Sequence, residues 1–165
     1  VNAICLLVSG VVRATLPADE FTVDWEHSVE KTRWEETYRI DGDRLRLTGA
    51  RIQGFGAGME PPQGAILRGG WWTWTPAVEP IAALRLTQST YTSDWTLCWK
   101  NGCRTLGALV PSAAEGSVVD LVACEASACF ETGYPVSLVD GDIDRCRRSA
   151  PVARLSKPVG RDGQQ

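Results

Sequence analysis

A chain of 165 residues with 44% hydrophobic and 22% charged side chains suits one domain that buries its own core without oligomerisation. Its formal net charge of −3 leaves it without the basic footprint of a nucleic-acid binder. A single histidine excludes a multi-histidine metal centre and an HExxH zinc site, so the 6 cysteines and 7 tryptophans become the features to explain.

The chain begins at Val1 and its one methionine is Met59, which points to an upstream segment removed or a non-standard start codon read literally. Residues 4–12 are apolar but fall far short of the roughly 20 that a membrane span needs. They also lack the charged front and small-residue cleavage site of a signal peptide. A Ser9-Gly10 turn divides them into 4–8 and 11–16, a first hairpin.

The stretch 21–40 organises the rest of the chain. Phe21, Val23, Trp25, His27 and Val29 alternate with polar residues, and so do Trp34, Glu36, Tyr38 and Ile40 after a polar turn around Lys31 and Thr32. A turn centred there opposes Val29 with Trp34, His27 with Glu36, Trp25 with Tyr38 and Val23 with Ile40. The histidine then faces a carboxylate on an inward face. Such a pair serves as a general base, a metal ligand with its orienter, or a pH-sensitive clasp; its plain use is to hold the hairpin in register.

Further along, Asp41-Gly42-Asp43 is a turn before a third strand over 44–48. Residues 54–64 break all periodicity. They fit neither a P-loop nor a dinucleotide fingerprint, which leaves a bent or binding loop carrying Met59 and Glu60. Short strands are expected at 65–67, 71–75, 81–86, 95–99, 105–110 and 118–123, and no convincing long helix. In the Trp71-Trp72-Thr73-Trp74 run, Trp72 and Trp74 share one face and Trp71 takes the other, for core packing or a groove. About ten short strands joined by Gly/Pro turns give an all-β fold, an antiparallel sandwich or partly open barrel. The β domain spans 1–125, and 126–165 reads as an irregular, loosely held extension.

The cysteines are even in number and read as disulfides in an exported chain. Cys98 and Cys103 face each other if their loop has four residues; a two-residue Asn-Gly turn instead opposes Cys98 with Thr105. Both registers keep Trp95, Leu97 and Leu106 together, so the pattern does not choose. Cys124 and Cys129 share the spacing, which leaves Cys5 for Cys146. Two CxxxxC pairs also match a four-thiolate zinc site.

The runs HSVEKTRWEETYRI, RIQGFGAGMEPPQG and GGWWTW, with LCWKNGCRTLGALVP later, resemble the uncharacterised bacterial and archaeal domain-of-unknown-function family DUF1850. The resemblance covers roughly residues 4–124 and carries no catalytic residue across, because the family has no established activity. It implies a small extracytoplasmic protein encoded beside TRAP transporters of the TAXI type. The expectation is therefore an extracytoplasmic accessory protein, periplasmic or secreted, that binds a small molecule or a transporter subunit. It needs no enzyme activity, cofactor or metal. The binding surface would draw on His27, Glu30, Glu35, Glu36, Met59, Glu60, Trp72 and Trp74. The alternatives are a hydrolase using His27 and Glu36 with Glu60, and a module holding Ca²⁺ on the acid-rich turn or Zn²⁺ on the cysteines.

Overall fold

The computed structural model describes residues 1–26, 31–54 and 60–126. These lie in one compact unit, Val1–Ala126. The expected extension over 126–165 falls, apart from Ala126, outside the described residues, as do Cys129 and Cys146.

The described residues form two open antiparallel sheets. The smaller runs β2-β1-β11-β8 and the larger β10-β9-β3-β4-β5-β7-β6. In chain order the strands are β1 (Asn2–Val8), β2 (Val11–Pro17), β3 (Glu20–Glu26), β4 (Arg33–Asp41), β5 (Arg44–Gln53), β6 (Ile66–Arg68), β7 (Trp71–Trp74), β8 (Leu84–Thr87), β9 (Thr96–Trp99), β10 (Gly102–Thr105) and β11 (Val118–Glu125). The fold is thus a disulfide-stapled all-β sandwich, the first of the two expected architectures. Its core interleaves Ile4, Leu6, Leu16, Leu86, Val119 and Leu121 from one sheet with Phe21, Val23, Tyr38, Leu45 and Leu97 from the other. Alternation along each strand sends these residues inward and their neighbours outward.

Two expected strands are corrected. Residues 105–110 instead open a single helical turn, α1 (Leu106–Leu109). Thr105 caps it, accepting from the Ala108 amide at 3.3 Å, and Leu106 and Val110 are buried beneath it. The segment 81–86 enters the smaller sheet only at Leu84; Ile81 instead bridges Leu45 of β5 through two backbone bonds of 2.8 and 2.9 Å.

The disulfide pattern is half as expected. Cys98 and Cys103 face each other across β9 and β10 and are bonded, with Trp99 paired to Gly102 one step nearer the turn. The alternative register with Cys98 opposite Thr105 does not occur. Cys5, however, bonds Cys124, not Cys146, and Cys124 is thereby unavailable to Cys129. The reason is topological. The first and last described strands are neighbours in one sheet, β1 beside β11, and these two residues stand one diagonal step apart with Cα atoms 5.9 Å apart. Spacing along the sequence carries no trace of that meeting. With Cys98, Cys103 and Cys124 bridged, the four-thiolate zinc alternative is overturned.

Gly107 marks a close approach. A Cβ there would lie 2.9 Å from Asp94 Oδ2 and 3.0 Å from Gln88 Nε2, while its own amide donates to that Asp94 oxygen at 2.8 Å. Gly107→Ala displaces the ends of the Asp94 and Gln88 side chains and weakens the Asp94 bond, and should destabilise the fold by about 0.5–1.5 kcal/mol in urea denaturation; an unchanged midpoint would mean the 88–94 loop yields freely. Replacing Cys5 and Cys124 together by Ala should cost roughly 2–5 kcal/mol, because the bridge closes most of the chain. A non-reduced peptide digest should contain Cys5 linked to Cys124.

Candidate functional site: an aromatic row and an edge groove

The larger sheet separates its two faces sharply. β3 meets β4 with Phe21 opposite Tyr38, Val23 opposite Glu36 and Trp25 opposite Trp34. This corrects the expected register by four residues along β3. The partner of Glu36 is Val23, and His27 lies outside the described residues. A four-residue displacement leaves the same residues facing inward, so alternation alone does not distinguish the two registers. Aromatic pairing does. Phe21 stacks on Tyr38 at 5.5 Å between ring centroids and Trp25 meets Trp34 at 5.6 Å. Aromatic cross-strand pairs contribute about 0.2–1 kcal/mol each, and the outward pairs Glu20–Arg39 and Glu26–Arg33 add opposed charges in the same register.

The inward face carries a connected row of indoles. Trp95 meets Trp25 at 5.1 Å, Trp25 meets Trp34, and Trp34 meets Trp74 edge-on at 5.6 Å. Glu36 sits in the adjoining cross-strand row with Val23, Ala50 and Trp74. Its half-buried carboxylate accepts a bond of 2.5 Å from the Tyr38 hydroxyl and a longer one of 3.4 Å from Trp34 Nε1. Both donors come from Glu36's own strand, two residues either side, because alternate residues share a face. This carboxylate is held by structural partners.

The opposite face is a ladder of charge. Glu35 accepts from Arg51 at 2.6 Å and has Arg33 within 3.9 Å, while Arg33 also bonds Asp24. The hydrogen bond and charge of Asp24 come first among the causes that raise the Arg33 pKa above its ordinary value. Arg51 lies 4.4 Å above the Trp71 ring, with Arg33 at 5.7 Å. Trp71 thus takes the face opposite Trp72 and Trp74, as the alternation requires.

Among the expected site residues, the structure brings together Glu36 and Trp74, both touching Trp34. Trp72 lies one row on, paired with Ile52 and Leu67. Glu35 is on the far face from Glu36, and Glu60 is exposed at the start of the segment leading to β6. His27, Glu30 and Met59 lie outside the described residues. Among the described residues, no group of three or more His, Cys, Asp or Glu side chains is placed to hold a metal ion.

A groove of about 790 Å³ runs along the free end of this sheet. Pro62, Gln63 and Gly64 form one wall, Ile66, Arg68 and Thr73 the β6–β7 floor, and residues 74–77 the other wall. The β6–β7 hairpin turns through Gly69 and Gly70, both at positive φ (56° and 82°), a conformation two glycines adopt without strain. β6 is the edge strand of the described sheet, so no described strand pairs with its outer side, and Ile66 and Leu67 are 55% and 53% exposed. Trp74 also lines the groove, while Ile66, Arg68 and Thr73 stand on the opposite face of the sheet, in the rows of Trp71 and Arg51. Sequence reasoning named the flanking loop and Trp74 but not Arg68 or Ile66, which carry no motif of their own.

The family model "Domain of unknown function (DUF1850)" matches residues 21–106, more than half of the chain. The chain belongs to that family. No curated protein and no solved structure matches it. The DUF1850 match spans β3 to the start of α1, and so contains the aromatic row, the charge ladder and the whole groove. Among the described residues no helix is long and apolar enough to cross a membrane.

Removing the Tyr38 hydroxyl leaves the Glu36 carboxylate with its weaker indole partner. Tyr38→Phe should cost about 1–3 kcal/mol, the range for a bond to a charged group, and Glu36→Gln in the Tyr38→Phe background should add little. Additive losses in that double-mutant cycle would show that the two side chains do not act together.

Proposed function

We propose that this DUF1850 protein is a binding module working in an oxidising, extracytoplasmic compartment, with its ligand site in the groove along β6 and β7. The observation that carries the reading is the groove itself. Its volume falls within the roughly 300–1,000 Å³ of small-molecule sites, and its lining mixes apolar walls with a few polar groups. The compartment is supported by two disulfides, one of them joining the first strand to the last. The accessory role beside a TAXI-type TRAP transporter belongs to the same proposal, and the groove is where a transported small molecule would sit.

The hydrolase reading has less support. Glu36 is engaged by Tyr38 and Trp34, and Glu35 faces the other way with two arginines. The one directly opposed pair of carboxylates on β3 and β4, Asp24 and Glu35, is tied up by Arg33, with Arg51 on Glu35 as well.

Ile66→Asn tests the site with little disturbance, since the side chain it removes is 55% exposed. Its thermal midpoint should stay close to the parent's. In a small-metabolite screen followed by backbone amide shifts, ligands that move Ile66 and Thr73 in the parent should bind about tenfold more weakly to the variant. Undiminished binding would place the site elsewhere.

A further inference from the structure

Charge along the groove is one-sided. Arg68 is the one formal charge among its described lining residues. On the same sheet Arg33, Arg39, Arg46 and Arg51 each meet a carboxylate, while Arg44 and Arg104 donate to the carbonyls of Pro80 and Cys103. Arg68 has no ion pair or hydrogen bond with any described residue. Its neighbours in the lining are the hydroxyl residues Thr73 and Thr75, with apolar Ile66, Pro62 and Pro76 beyond them.

A guanidinium is a planar fork of donors that matches a carboxylate in two parallel bonds. Here it is solvent-exposed, no described acid pairs with it, and it shares the lining with apolar Ile66, Pro62 and Pro76. One guanidinium with no second cation in the lining suits a singly charged carboxylate better than a phosphate dianion, which draws on several donors. The groove is also far larger than a bare carboxylate and offers apolar surface for a tail. From this pairing of an uncompensated Arg68 with apolar walls, we infer that the groove takes an amphipathic organic carboxylate, its head on Arg68 and its tail along Ile66 and Pro76. The inference rests on the binding reading above and adds the ligand's chemical class. Neutral and cationic analogues are disfavoured for one reason. They leave Arg68 without a counter-ion, and a cation meets it as a like charge.

The test uses hexanoate, hexanamide and hexylamine, which share a tail and differ in the head, with a blocked, uncharged Val-Thr peptide as a strand-forming competitor for the β6 edge. Backbone amide shifts of Ile66, Arg68 and Thr73 in the full chain report binding. Hexanoate should move all three, hexanamide should bind about tenfold more weakly through loss of the charge-assisted pair, and hexylamine should leave them in place. Arg68→Gln should bring hexanoate down to the level of hexanamide, and Arg68→Lys should retain part of the preference. Equal binding of hexanoate and hexanamide, or an Arg68→Gln variant that still prefers hexanoate, overturns the assignment of class while leaving the groove a site. If the peptide moves these amides and hexanoate does not, the edge is a strand-docking surface and the inference is wrong. Silence from every probe removes the groove reading itself.

Discussion

The register in which β3 meets β4 determines what each face of the larger sheet carries. With Trp25 opposite Trp34 and Phe21 opposite Tyr38, the two aromatic pairs stack along the inner face, and Val23 and Glu36 fill the row between them. Through β5 the same rows continue to Ile52 and Trp72, and to Ala50 and Trp74. The outer face inherits the complementary set, in which Arg33 and Arg51 meet the acids Asp24 and Glu35 and both lie over Trp71. A half-buried aromatic row and a charge-paired outer face are therefore one consequence of one pairing.

That arrangement explains how the chain accommodates a carboxylate on an inner face. Glu36 would be costly there without partners, since a half-buried charge needs hydrogen bonds to replace its water. Tyr38 supplies a short one from a ring already stacked on Phe21, so the packing that fixes the ring also fixes the donor. The β6–β7 hairpin then extends the sheet beyond this aromatic block and leaves a free edge. Natural sheets usually blunt such edges with short strands and charges. β6 has three residues, and Arg68 is among them. The same guanidinium that discourages edge-to-edge pairing stands available to a ligand.

Much of the fold was legible in the sequence, because period-2 alternation and Gly/Pro turns report strands directly. The first hairpin, the strands around Asp41 to Asp43 and the face assignment of Trp71 against Trp72 and Trp74 all followed from local pattern, while the Cys98–Cys103 bridge was one of two registers that pattern left open. What failed was non-local or degenerate. The β3–β4 register failed because a four-residue displacement preserves inside and outside, and only ring-on-ring packing separates the alternatives. Cys5–Cys124 failed because the pairing of β1 with β11 joins the two ends of the described chain, which no spacing rule encodes. The turn of helix after Thr105 was hidden by a Leu-rich run that suits strand and helix equally. For the site, Trp74 and the flanking loop stood out by composition. Arg68 was one arginine among many until the structure placed it in the groove as the one formal charge among the described lining residues.

Cross-strand nuclear Overhauser contacts between β3 and β4 test this account most directly. It predicts contacts joining Trp25 with Trp34, Val23 with Glu36 and Phe21 with Tyr38. Contacts joining Trp25 with Tyr38 and Val23 with Ile40 would contradict it, and the aromatic row with its engaged carboxylate would fall with the register.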